Sequence, residues 1–157
     1  MIMGVSGAGK TTLGRALALD MGILFRDGDD LHMPINIEKM RHGIALQDAD
    51  RWNWLELVAN SLRRDGPVII ACSALKTSYR DLIRAGAGGP VFFVHLDGPP
   101  ELIAERLAKR KHSFMPPDML ASQFADLMRP TPNEALIVPI SLTVQAQIAM
   151  VKKALPI

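Results

Sequence analysis

The chain has 157 residues, of which 48% are hydrophobic and 22% are charged, and this fits one domain with enough apolar material for a core. The formal net charge of +2 is too small to predict a nucleic-acid partner. No apolar run approaches the roughly 18 residues of a membrane span, and the start lacks the basic-then-apolar pattern of a secretory signal. One cysteine, Cys72, excludes an internal disulfide framework. These features favour a cytoplasmic location.

Apolar runs alternate with amphipathic stretches along the whole chain, which is typical of a parallel sheet with right-handed helical crossovers. The predicted strands are residues 1–3, 23–25, 68–71, 91–96 and 136–140. The predicted helices are residues 10–21, 36–42, 48 or 50 to 65, 78–84, 99–109, 119–127 and 144–155. Pro139 places the last strand at a sheet edge, because proline has no N–H to donate to a neighbouring strand. We therefore expect an α/β fold, a three-layer α/β/α sandwich with a five-stranded parallel sheet.

The first predicted strand holds only three residues before a glycine-rich loop, where about five are usual. We expect that the sequence begins a few residues into this strand.

Residues 4–11 read GVSGAGKT and match the phosphate-binding loop G-x-x-x-x-G-K-[ST] at every fixed position. Glycines let the backbone turn its N–H groups toward phosphate oxygens, and the start of the following helix adds partial positive charge. The pattern predicts a P-loop NTPase fold that binds ATP, with Lys10 on the β- and γ-phosphates and Thr11 on Mg²⁺. The predicted nucleotide-binding residues here are Gly4, Ser6, Gly7, Ala8, Gly9, Lys10, Thr11 and Thr12.

Residues 27–32, DGDDLH, follow the second predicted strand, and the carboxyl ends of parallel strands face the ligand crevice. A carboxylate there can orient an attacking hydroxyl or accept its proton. We predict that Asp29 does so, that Asp27 supports Mg²⁺, and that Asp30 only caps a turn. Further along, Arg51 could pair with a carboxylate of the substrate. The full set of predicted substrate-binding residues is Asp29, His32, Asn36, Lys39, Arg51, Lys76 and Arg80.

Arg106 and Arg110 follow the fourth predicted strand and its helix. Cationic side chains on a mobile segment can close over the phosphates, stabilise the charge on the transferring group and exclude water. We predict that residues 1–157 form one kinase domain with a lid at about residues 110–122, and that Arg110 acts in catalysis.

These features alone leave several readings open. The chain carries no N-K-x-D motif for guanine, and the small core with a lid favours a small-molecule kinase. A kinase for another small hydroxy acid, such as shikimate, would share the loop and Asp29. A nucleoside monophosphate kinase is disfavoured by an aromatic content of 5%. The alternative that is not an enzyme is a nucleotide-binding sensor that no longer catalyses phosphoryl transfer.

Taken together, the motifs resemble the gluconokinase family over nearly the whole chain. The specific blocks are the phosphate loop, DGDDLH at 27–32, CSALK at 72–76 with YRD at 79–81, FMP at 114–116 and SQF at 122–124. The resemblance implies phosphorylation of D-gluconate at its 6-hydroxyl by Mg·ATP, a fold similar to adenylate and shikimate kinases, and a homodimer. By position it supports Lys10 and Thr11 for the nucleotide, and Asp29, Arg51 and Lys76 near the acceptor.

The chain departs from the family pattern mainly around the lid. Ser113 follows His112 where the family usually reads G-H-F-M-P, and Met128-Arg129 stands where an acid is usual. Residues 50–55 read DRWNWL in place of D-R-x-P-W-L. These departures concern lid closure more than the identity of the substrate.

Overall fold

The structure is a computed structural model that describes residues 1–110 and 116–156. Its centre is a parallel sheet of five strands in the spatial order β2-β3-β1-β4-β5. The strands are β1 (Ile2–Met3), β2 (Leu24–Asp27), β3 (Val68–Ala71), β4 (Val94–Asp97) and β5 (Leu136–Pro139). The order confirms the predicted edge position of β5.

Seven α-helices are assigned within the described residues, and a 3₁₀ turn at Gly28–Leu31 follows β2. The helices are α1 (Lys10–Met21), α2 (Pro34–Arg41), α3 (Asp48–Arg64), α4 (Thr77–Gly86), α5 (Pro100–Ala108), α6 (Pro117–Asp126) and α7 (Val144–Ala154). None of them is long and apolar enough to cross a bilayer.

The sheet separates two apolar cores, which confirms the three-layer architecture. Successive side chains of a strand point to opposite faces, so Ile2 joins the core built with α1, α5 and α7 while Met3 joins the core built with α3 and α4. Ile69 and Ile70 of β3 divide in the same way. The unbroken apolar runs of the sequence therefore belong to strands covered on both faces.

Several strand boundaries differ from the sequence predictions by one to three residues, and two of these differences are the largest or lie nearest the site. The fourth strand begins at Val94 and not at residue 91, because its partner β1 starts only at Ile2, which lies opposite Val94. The second strand extends to Asp27, which pairs with Ala71 of β3 and so lies at the end of the strand and not in the loop. The backbone of Asp27 is consequently fixed by the sheet.

Candidate active site

The phosphate loop connects β1 to α1 at the carboxyl edge of the sheet. Gly4, Gly7 and Gly9 have φ of 145°, 82° and 97°, which side chains rarely permit. A Cβ on Gly4 would lie 2.9 Å from the carbonyl oxygen of Leu96, and a Cβ on Gly7 would lie 2.7 Å from Cγ of Leu107. Local conformation therefore favours glycine at all three positions, and packing also requires it at Gly4 and Gly7.

Lys10 is the first residue of α1, and its Nζ donates to the carbonyl oxygen of Val5, 3.0 Å away, within the loop. Burial lowers the pKa of Lys10, although the neighbouring Asp29 carboxylate opposes this shift. A cation that is held out of water interacts strongly with an arriving phosphate, because the surrounding dielectric is low.

Thr11 and Asp27 lie together beside the loop. Thr11 Oγ1 donates to Asp27 Oδ2 over 2.7 Å, and the other oxygen of Asp27 accepts from the N–H of Asp29 over 3.1 Å. Hydroxyl and carboxylate oxygens are donors that Mg²⁺ prefers. The residues that the structure describes hold no cluster of three or more His, Cys, Asp or Glu side chains for a metal. A site with few protein donors suits Mg²⁺, which commonly keeps several waters and binds substrate phosphates.

Asp29 lies in the 3₁₀ turn after β2 and faces the same cavity as Lys10. Asp29 is exposed as a residue, but partial desolvation of its carboxyl in the cavity raises its pKa, and the ammonium of Lys10 opposes this shift. The cavity has a volume of about 240 Å³. Its lining residues are Ser6, Lys10, Asp29, His32, Met40, Ala45, Leu46, Arg51, Trp54, Ser73, Leu75, Pro116, Met119, Ser122 and Gln123.

His32 is a neutral hydrogen-bonding group of this cavity. Its ring stacks on Trp54 with centroids 4.0 Å apart, and burial, helped by Arg51, lowers its pKa to about 4. The side-chain nitrogen of Asn36 lies 3.4 Å from Nδ1 of His32. Because an amide nitrogen donates, Nδ1 accepts and the ring proton resides on Nε2. His32 can therefore donate one hydrogen bond near neutral pH without carrying charge.

Arg51, on the wall of this cavity, forms a cationic pair with the nearby Lys76. Arg51 Nη1 donates to the Tyr79 hydroxyl at 2.8 Å and to Asp126 Oδ2 at 3.1 Å. Lys76 Nζ donates to Asp48 Oδ1 at 2.8 Å and lies 3.9 Å from Asp126 Oδ1. Two cations therefore converge on one carboxylate, that of Asp126. The sequence patterns did not identify this residue.

The cationic pair also lines a second cavity of about 510 Å³. The two cavities share Ala45, Leu46, Arg51 and Ser122. An elongated acid could extend from Asp29 toward Lys76 along this shared wall.

The structure does not bring three of the predicted substrate-binding residues to the cavity surface. Asn36 Nδ2 donates to the backbone oxygen of Asp50 at 2.7 Å, and Lys39 Nζ pairs with the Asp50 carboxylate at 2.7 Å. These bonds tie α2 to the start of α3, next to Arg51. Neither Asn36 nor Lys39 lines either cavity.

Arg80 is the third of these residues, and its solvent exposure is 0%. Its guanidinium donates to the backbone oxygens of Ala74 at 2.9 Å, Leu75 at 3.0 Å and Met128 at 2.9 Å. Ala74 has a φ of 44°, which is costly for a residue with a side chain. Arg80 therefore supports the loop that presents Ser73 and Lys76, in place of the predicted contact with substrate.

A third cavity, of about 350 Å³, lies on the other side of the phosphate loop. It is lined by Gly7, Ala8, Gly9, Thr12, Arg106, Arg110, Ile140, Leu142, Thr143, Val144 and Gln147. Six of the predicted nucleotide-binding residues thus meet here: four from the loop and the start of α1, Arg106 of α5, and Arg110 just after α5. The segment after β5 also lines this cavity, which no sequence motif indicated, although the carboxyl end of that strand necessarily reaches the same edge of the sheet.

The predicted lid falls partly on residues 111–115, including His112 and Ser113, which lie outside the described residues. Beyond them, α6 supplies Met119, Ser122 and Gln123 to the wall of the first cavity. The departures at Met128 and Arg129 have local partners: the Met128 N–H donates to Leu75 O at 2.9 Å, and Arg129 pairs with Asp97 at the end of β4. These two residues therefore anchor the segment after α6.

Fold and site together define a small-molecule kinase of the P-loop class. The family described as "AAA domain" matches residues 1–130. Gluconokinase from Gluconobacter oxydans is 45% identical over 141 residues, covering 87% of this chain and 79% of that protein. Thermosensitive gluconokinase from Escherichia coli is 43% identical over 146 residues, covering 90% of this chain and 78% of that protein.

Solved structures agree with these relatives. A gluconokinase from Sinorhizobium meliloti is 41% identical, with a TM-score of 0.88 over 95% of this chain and 86% of that one. Shikimate kinase from Aquifex aeolicus, 16% identical with a TM-score of 0.61 over 98% and 92%, shares the fold. The chain belongs to the gluconokinase family.

Proposed function

We propose that the chain transfers the γ-phosphoryl group of ATP to the 6-hydroxyl of D-gluconate, giving 6-phospho-D-gluconate and ADP. The observation that supports this best is the pair of adjoining cavities: Lys10 and Asp29 line the first, Lys76 lines the second, and Arg51 lines both. Phosphoryl transfer to an acid of this kind needs three features: a cation that binds phosphate, a carboxylate base, and a site that binds the carboxylate of the acceptor.

In the proposed reaction, the hydroxyl oxygen of the acceptor bonds to the γ-phosphorus as the bond from that phosphorus to the β–γ bridging oxygen breaks. Asp29 accepts the proton of the hydroxyl, and its raised pKa suits that role. Lys10 stabilises the negative charge on the phosphate oxygens. Thr11 and Asp27 would hold Mg²⁺, which neutralises phosphate charge when it is bound.

The third cavity would hold the nucleotide, with Arg106 and Arg110 beside the phosphate loop. Arg106 Nη2 now donates to the backbone oxygen of Ile140 at 2.6 Å, so this guanidinium is held at the cavity wall. Arg110 directly precedes residues 111–115 and would supply the positive charge that the predicted lid brings to the phosphates. Closure of the lid, a cytoplasmic location and a homodimer stay predictions.

The reaction and its acceptor are tested by following ADP release from Mg·ATP with gluconate, shikimate, other sugar acids and AMP. We expect release with gluconate and not with shikimate or AMP. Release with another acid alone would change the proposed acceptor. If the folded protein binds ATP but releases no ADP with any acceptor, the sensor interpretation gains support. Thermal melting with each compound reports binding separately, because a ligand of the native state raises the melting temperature.

Arg51→Met is expected to raise KM for gluconate by at least about thirtyfold. Loss of one partner of a buried charge pair costs about 2–5 kcal/mol, and 1.4 kcal/mol corresponds to a factor of ten. KM for ATP should change by less than about threefold, because Arg51 does not line the nucleotide cavity. Steady-state kinetics with each substrate varied in turn gives both constants, and exposed Arg63→Met is the matched control. An equal rise in both KM values would contradict the assignment.

A further inference from the structure

The N–H of Ser6, in the phosphate loop, donates to Oε1 of Gln123 on α6, and the two atoms lie 2.7 Å apart although the residues are 117 positions apart in the chain. Both residues line the cavity that holds Lys10 and Asp29. The bond joins the helix after the predicted lid to the loop that receives the phosphates.

This bond determines which way the Gln123 amide faces. A backbone N–H can only donate, so Gln123 must present its carbonyl oxygen to Ser6. The amide nitrogen, Nε2, is thereby directed away from Ser6, and it carries two N–H donors on a residue that lines the cavity. A fixed neutral donor on the wall of the cavity that Lys10 also lines suits an oxygen that gains negative charge during the reaction.

We propose that Gln123 is a further catalytic residue, whose Nε2 donates a hydrogen bond to an oxygen of the transferring phosphoryl group. This inference rests on the proposed phosphoryl transfer. It gives the amide two separate tasks: Oε1 holds the side chain on the phosphate loop, and Nε2 contacts the phosphoryl group. Removal of such a donor typically lowers kcat by about 10²–10³-fold.

Three substitutions separate the two tasks. Gln123→Glu keeps an oxygen that accepts from Ser6 but loses the donors. Gln123→Lys keeps a donor but loses the acceptor, and Gln123→Ala loses both. We expect kcat for gluconate phosphorylation to fall by about 10²-fold in the Ala and Glu variants, with the Lys variant retaining clearly more activity than either. KM for gluconate should change much less than kcat.

A larger kcat in Gln123→Glu than in Gln123→Lys would overturn the proposal, because the bond to Ser6 would then be the task that matters. Equal loss in all three variants, or wild-type kcat in Gln123→Ala, would overturn it as well. Gln145→Glu, on the exposed face of α7, controls for added charge, and thermal melting controls for folding. The wild-type enzyme in the same assay tests the proposed function separately: if it releases no ADP with gluconate, the reaction itself is wrong.

Discussion

Asp29→Asn is expected to lower kcat by about 10²–10⁴-fold, the usual contribution of a positioned general base. Asparagine keeps the shape of the side chain but cannot take up the proton of the attacking hydroxyl. Binding of Mg·ATP should persist, because Lys10, Thr11 and Asp27 are unchanged. Single-turnover kinetics with saturating gluconate measures the chemical step, and ATP-dependent thermal stabilisation measures binding.

Asp30→Asn is the matched control, since Asp30 is exposed, adjacent in sequence and absent from the cavity wall. It removes one carboxylate from the same turn and should keep kcat within about threefold of wild type. If the two variants lost activity equally, the effect would belong to the turn and not to Asp29.

The same assignment predicts a bell-shaped pH profile of kcat/KM. Asp29 must be deprotonated to act, so activity is lost as the pH falls through its raised pKa, and the acid limb lies above the ordinary value near 3.9. Lys10 must be charged, so activity is also lost as the pH rises through its lowered pKa, below the ordinary value near 10.4. The two groups interact, and the limbs report apparent pKa values of the pair. Asp29→Asn should remove the acid limb.

Local chemistry explains what the sequence could predict. The glycines belong to a loop whose backbone conformation few other residues permit. Lys10 and Thr11 complete the same motif. A single motif therefore predicted both the structure of the loop and the positions of these two side chains. The order of strands and helices followed from hydrophobic patterning alone. The carboxyl ends of parallel strands meet at one edge, and this rule correctly placed Asp29 and His32 on the same cavity.

Side-chain direction explains what the sequence could not predict. Arg80 has the same chemistry as Arg51, but Arg80 faces into the protein and its charge is used by backbone oxygens. Nothing in the sequence pattern of α4 shows that Arg80 binds backbone oxygens and does not contact the cavity as Arg51 does. The contacts of Ser6 with Gln123 and of Arg51 with Asp126 join residues 117 and 75 positions apart. They depend on how α6 docks, which no local motif encodes.

Lys10→Ala is expected to lower kcat by at least about 10²–10³-fold, because a preorganised donor to the transferring phosphate is lost. The fold should persist, since Lys10 is partly exposed and, within residues 1–110 and 116–156, its ammonium donates to a single backbone oxygen, that of Val5. Circular dichroism and thermal melting check this, with exposed Lys153→Ala on α7 as the matched control. A variant that kept full kcat would show that the phosphate site has been placed wrongly.

The Lys10→Ala variant also tests whether Lys10 and Asp29 act as one unit. Lys10 is the neighbour that opposes the upward shift of the Asp29 pKa. Without that ammonium the pKa of Asp29 must rise further, so the acid limb of the residual activity should move to higher pH than in the wild type. A limb that stayed in place would mean that the ionising group is not Asp29. The direction of this shift therefore links the phosphate site to the base through one electrostatic interaction, and a rate measurement alone could not establish that link.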